Sequence, residues 1–138
     1  MLRVQDVMTT RLITIRHDQK MQDALDLMHS HRVSGLPVLN YEDQLVGFIT
    51  EYSILELLYD PQVAELSVGI CMSKDPITVS PDTLLSDVVG KMVLHRIRQV
   101  LVTGGQGELL GLVSLRDLVR TAYLVRLEER KAAVAPIS

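Results

Sequence analysis

The sequence predicts a mixed α/β (α+β) fold made of two copies of one unit, each strand-helix-strand-strand-helix, packed pseudo-symmetrically through their sheets. Three observations predict it. The chain aligns with itself without a gap at an offset of 64, so that residues 4–55 fall on 68–119. In both copies β-branched runs alternate with apolar residues at helical spacing. Finally, 138 residues at 47% hydrophobic and 22% charged suffice for one core of ordinary size, or for two small halves that share one. Identical pairs include Val4/Val68, Met8/Met72, Ile13/Ile77, Thr14/Thr78, Asp18/Asp82, Met28/Met92, His31/His95, Arg32/Arg96 and Gly47/Gly111. An ungapped register that also keeps the order of apolar positions marks a duplication.

The elements follow in order. Leu12-Ile13-Thr14-Ile15 and Pro76-Ile77-Thr78-Val79 are short β-branched runs and read as the first strands. Asp18 and Asp82 stand where N-caps belong, ahead of the apolar stripes Met21, Ala24, Leu25, Met28 and Leu85, Val88, Val89, Met92. Those methionines read as core filler. Two apolar runs separated by a polar turn come next: Leu36–Leu39 and Leu45–Ile49, then Val100–Val102 and Leu109–Val113. Second helices are expected from about Glu51 to Tyr59 and from about Leu115 toward Lys131. The stretch Thr103-Gly104-Gly105-Gln106-Gly107-Glu108 precedes a strand and has no Lys-Ser or Lys-Thr after it, so it reads as a hairpin turn needing positive φ rather than a phosphate loop. Repeat one is placed at residues 2–59, a linker at 60–67 with Asp60-Pro61 as helix stop, and repeat two at 68–125. Residues 126–138 are an extension of the last helix, with Leu124 and Leu127 as a stripe suited to a partner subunit, and a frayed tail over Ala132 to Ser138.

A net charge of -3 and a pI near 5.7 exclude the clustered basic surface of a nucleic-acid binder. Residues 1–66 carry 5 basic and 10 acidic groups and residues 67–138 carry 9 and 7, so the second half is the better host for a small anion. Cys71 is the only cysteine, which excludes an intrachain disulfide and points to a reducing compartment. With an acid at Asp6 where a signal peptide would be apolar, and no long apolar run, a soluble cytoplasmic protein without membrane insertion is expected.

The order of motifs resembles a tandem pair of CBS (cystathionine β-synthase) domains, a Bateman module. The carrying residues are Asp6-Val7-Met8 with Ile13-Thr14-Ile15, His31-Arg32-Val33-Ser34-Gly35-Leu36-Pro37-Val38 and Gly47-Phe48-Ile49-Thr50. In the second copy they are Met72-Ser73, Asp75-Pro76-Ile77-Thr78-Val79 and Gly111-Leu112-Val113-Ser114-Leu115-Arg116-Asp117. The resemblance implies two clefts between the repeats, adenine-nucleotide binding in many members, and homodimers. The ligands it implies are AMP, ADP or ATP, with S-adenosylmethionine as a further candidate.

Gly111 to Asp117 ends a strand and opens a helix. Unpaired N–H groups and the positive end of the macrodipole there attract phosphate. Ser114 can add a hydroxyl donor, and Asp117 can accept from both ribose hydroxyls. The alternative is a capping box, Ser114 with Asp117 three residues on; the two readings are compatible. The resemblance implies further walls for this nucleotide cleft: Ile13, Val33, Ser34, Gly35 and Leu112 around adenine, and Arg98 on phosphate. Arg98 alone reads equally as a solvated strand-edge charge. In the second, weaker cleft Ser53 stands where the ribose carboxylate belongs and Glu51 repels phosphate, with Phe48, Thr50, Ile77, Ile97, Arg98 and Gln99 as walls. One competent site per chain is expected.

His31 and His95 read as helix-end cations rather than metal ligands, and Cys71 as a small core residue. No nucleophile–base pair, carboxylate pair or metal set is legible, so no enzyme, metal or catalytic cofactor is expected. The function expected is a regulatory module that signals a nucleotide level to an unknown partner protein. The alternative is a ligand-free dimerisation or scaffold module.

Overall fold

The computed structural model describes residues 1–134. In chain order the elements are α1 (Val4–Val7), β1 (Ile15–Arg16), α2 (Met21–His31), β2 (Gly35–Leu39), β3 (Leu45–Thr50), α3 (Glu51–Tyr59), a 3-10 turn (Pro61–Glu65), α4 (Val68–Cys71), β4 (Ser73–Lys74), β5 (Thr78–Val79), α5 (Leu85–His95), β6 (Gln99–Thr103), β7 (Leu109–Ser114) and α6 (Leu115–Ala133). Two sheets form, ordered β1-β2-β3-β4 and β5-β6-β7. In each, the first strand runs parallel to the second and the hairpin is antiparallel. This is the α+β architecture the repeat predicts.

The lead-in of each repeat is built into the other. Val4 N donates to Thr83 O at 2.9 Å and Leu85 N to Leu2 O at 3.0 Å; sixty-four residues on, Val68 N donates to Gln19 O at 2.7 Å and Met21 N to Leu66 O at 2.9 Å. Val4 is fully buried in the cluster of Val79, Val88, Met92, Val100, Val102 and Val113. Val68 is fully buried with Ile15, Met21, Ala24, Met28, Leu36, Val38 and Ile49. Each such valine contributes about 1.5–3 kcal/mol of burial that its own repeat does not supply. The edges follow the same exchange. β4 pairs with β3, and Thr9 bridges to Leu112 on β7, with Thr9 N to Leu112 O at 2.8 Å. Gly47 and Gly111 admit this approach: a Cβ on Gly111 would lie 2.7 Å from Met8 Sδ and 3.0 Å from Thr9 O, and Gly47 is crowded likewise by Met72.

Period-two alternation buries both faces of each sheet. Leu36, Val38 and Ile49, like Val100, Val102 and Val113, face the helices. Pro37, Phe48 and Leu101, between them in sequence, are buried yet belong to neither cluster, because they occupy the opposite faces where the repeats meet. At the hairpin tips Gln44 bridges its own repeat partner Glu108, and Gln44 Nε2 donates to Gln106 O at 2.9 Å.

Several local expectations change. The first strands are two residues each rather than four. In the second repeat Leu101 N reaches Ile77 O at 3.4 Å, whereas its counterpart Pro37 has no N–H to give, so the first repeat lacks this bond. The N-caps are Lys20 and Leu84, not Asp18 and Asp82. Asp18 instead accepts from the Tyr41 hydroxyl, and Asp82 accepts from Ser80 Oγ at 2.6 Å, which fixes the turn before each helix. The Asp82 contact holds that carboxyl below its ordinary range. Val89 is exposed, facing away from the α5 stripe of Val88 and Met92. α6 continues through Ala132 and Ala133, and the rest of the expected frayed tail, 135–138, lies outside the described residues. The glycine-rich turn is a hairpin turn, with Gly107 at φ 82 and Asp43 adopting φ 61 at the same place in the first copy. Asp60 ends α3 and caps the 3-10 turn through Gln62 N at 3.1 Å.

Candidate functional site

Two cavities open where the sheets face each other. One, of about 420 Å3, takes walls from both repeats. Ile13, Val33, Ser34 and Gly35 line it from the first, and Arg98, Leu112, Ser114 and Asp117 from the second, so all eight residues expected in the nucleotide cleft surround one space.

At its floor Ser114 and Asp117 form a reciprocal cap. Asp117 N donates to Ser114 Oγ at 3.2 Å, while Asp117 Oδ2 accepts from Ser114 N at 2.9 Å and Ser114 Oγ at 3.0 Å. Asp117 Oδ1 has only Thr9 Oγ1, at 3.5 Å. The cap therefore orients the carboxylate and leaves one oxygen with spare acceptor capacity among the described residues. The helix start offers fewer free donors than its sequence suggests. Leu115 N is held by Arg98 O at 2.9 Å and Asp117 N by Ser114, so of the leading N–H groups only that of Arg116 lacks a partner among the described residues.

Positive charge comes instead from side chains. Arg11, Arg32 and Arg116 line the cavity together with Arg98. Sequence reasoning identified Arg98 alone, because Arg11 lies outside any element and Arg32 reads as a helix-end cation. Comparing the two copies position by position marks two of the others, since Arg11 stands opposite Asp75 and Arg116 opposite Tyr52, while Arg32 aligns with the identical Arg96. Arg98 Nη1 is 3.8 Å from Glu51 Oε1 with both side chains well exposed, a contact of little strength.

The second cavity, of about 410 Å3, is walled largely by Phe48, Pro76, Ile77, Ile97 and Leu101, with Thr50 and Gln99 also facing it. Ser53 does not line it. Its side chain is turned into the α3 cap, where Ser53 N donates to Thr50 Oγ1 at 3.3 Å, and the residue is 7% exposed. Ser34, Glu51, Arg98 and Gln99 border both cavities.

The remaining candidates lie elsewhere. His31 and His95 are exposed at the ends of α2 and α5. Cys71 is partly buried against the first core, which raises its thiol pKa, with Glu56 adding to the shift. Among the described residues no three His, Cys, Asp or Glu side chains gather as a metal site, and no helix is long and apolar enough to cross a membrane.

The family model for the CBS domain matches residues 4–60 and again 63–123. The chain belongs to the CBS-domain family. This CBS pair is 32% identical over 119 residues to the CBS domain-containing protein YhcV of Bacillus subtilis, covering 86% of the chain and 84% of that protein. It is 32% identical over 116 residues to an inosine-5'-monophosphate dehydrogenase of Korarchaeum cryptofilum, where it spans 84% of the chain but only 23% of the enzyme. Among solved structures it superposes on CBSX2 in complex with AMP with TM-score 0.83 at 28% identity, covering 91% of this chain and 99% of that one.

Proposed function

We propose that this CBS pair is a regulatory module that binds an adenine nucleotide in the cleft over Ser114 and Asp117 and signals its occupancy to a partner protein. The observation that carries this is the position of Asp117, oriented by Ser114 at the start of α6, on a cavity that both repeats wall. A ligand there touches both repeats at once, so its differential affinity for one relative arrangement shifts the equilibrium between arrangements. The likeness to an AMP-bound CBS pair supports the same ligand class. The cavity walls present a phosphate and ribose cradle rather than a nucleophile with a base, and the reading assigns no catalysis.

Isothermal titration with AMP, ADP, ATP and S-adenosylmethionine tests this. Saturable binding near one per chain, lost in Asp117→Ala, is the expected result; no binding of any of the four at millimolar concentration refutes it.

A scaffold reading is favoured by a different observation. Tyr52, Leu55 and Tyr59 on α3 and Val119 and Tyr123 on α6 are exposed apolar residues on the two helices that follow the sheets. Pairing through these helices gives a homodimer with or without nucleotide.

A further inference from the structure

We infer that the cleft over Ser114 and Asp117 is built for a chain of two or three phosphates rather than for a monophosphate or an uncharged nucleoside. The inference deepens the nucleotide reading by naming the ligand's charge class. Four arginines border the one cavity: Arg11 from the lead-in, Arg32 at the end of α2, Arg98 ahead of β6 and Arg116 in the first turn of α6. Only two carboxylates, Glu51 and Asp117, border it with them. Among the described residues Arg11, Arg32 and Arg116 make no ion pair, and Arg98 has only its weak contact with Glu51.

Neighbouring cations that outnumber the carboxylates beside them repel one another, and Arg116 sits at the positive end of a helix, where a cation is unfavourable. An anion with several oxygens reverses both effects, since each guanidinium can grip two of them. A chain of two or three phosphates offers such groups more oxygens, and more negative charge, than one phosphate does. The duplicated scaffold provides its own comparison. The four positions correspond to Asp75, Arg96, Ser34 and Tyr52 in the other copy, and the other cavity is bordered by Ser34, Tyr52 and Arg96, with Arg98 reaching across. The same fold thus sets four arginines around one cavity and two around the other, with Arg98 shared.

The test compares adenosine, AMP, ATP and inorganic tripolyphosphate by calorimetry on the intact chain. Affinity should rise at least about tenfold from AMP to ATP and fall steeply with salt, with tripolyphosphate displacing ATP. Arg11→Ala and Arg116→Ala should each weaken ATP and tripolyphosphate by about tenfold and adenosine by less than about twofold. Arg96→Ala, which removes a guanidinium from the other cavity, should leave ATP affinity unchanged, and circular dichroism checks that each variant folds. AMP binding as tightly as ATP, or an Arg96→Ala loss equal to that of Arg11→Ala, overturns the inference. If tripolyphosphate binds in an arginine-dependent way and no adenine compound does, the nucleotide reading fails and this one stands. If adenosine and AMP bind and tripolyphosphate does not, the reverse holds.

Discussion

Gly35 and Gln99 occupy the same position in the two repeats and meet at the joint between them: a Cβ on Gly35 would lie 2.8 Å from Gln99 Nε2 and 2.6 Å from Phe48 Cε1. The Phe48 ring is buried and cannot swing aside without moving its neighbours. Gly35→Val is expected to lower stability by about 1–3 kcal/mol, read as a lower urea midpoint at constant slope.

The exchanged lead-ins make a separable prediction. Val4 is buried among β5, α5, β6 and β7, so Val4→Ala should cost about 2 kcal/mol and accelerate amide exchange in β6 and β7 more than in β2 and β3. Equal acceleration in both sheets would mean that the repeats open as one unit.

Ser114 has a capping role and a proposed ligand role that different substitutions resolve. Ser114→Ala should cost about 1 kcal/mol of stability and Ser114→Gly only a few tenths, because glycine suits the cap backbone. Both should weaken nucleotide binding, since both remove the hydroxyl that orients Asp117. Binding that follows stability, lost in the alanine variant and kept in the glycine variant, would make the cap the whole role.

Cys71 sets a pH dependence. Burial raises its thiol pKa above the ordinary 9.0. A group whose folded pKa is raised contributes stability that is fully present below the unfolded value and is lost as pH rises through the folded one. Stability should therefore fall more steeply above pH 9 in the native chain than in Cys71→Ser. At pH 8 a disulfide reagent should react more slowly with the folded protein than with the urea-unfolded chain.

The apolar faces of α3 and α6 predict a quaternary change. Val119 is 70% exposed, and a charge there costs little in an isolated chain but much in a helix-to-helix dimer. Val119→Asp should shift sedimentation from dimer to monomer with an unchanged helical spectrum. An unaltered dimer would move the interface elsewhere.

The repeat and the order of elements were legible because duplication leaves a register, Ser114 and Asp117 because their spacing opens a helix, and the other walls of the first cleft only through the resemblance to CBS pairs. What failed did so locally. Asp18 and Asp82 carry the composition of caps, yet Tyr41 and Ser80 engage them in the preceding turns, and the helices start two residues later. Ser53 matches the motif position of Asp117 but folds into its own helix cap, out of the cavity. Arg11, Arg32 and Arg116 were not legible as a group because bordering one cavity is a property of distant segments, and Arg32 also reads as a helix-end cation.

The sequence by itself determined that this chain is one unit made twice, where its hairpins turn, and which copy keeps the Ser114–Asp117 pair, since these follow from spacing and polarity along the chain. Only the tertiary structure decided that each lead-in completes the other repeat's core and that four arginines border one cleft. Both depend on where non-local segments are brought by the burial of Val4, Val68 and the faces between the sheets, and that free energy is realised only when the two halves close on each other.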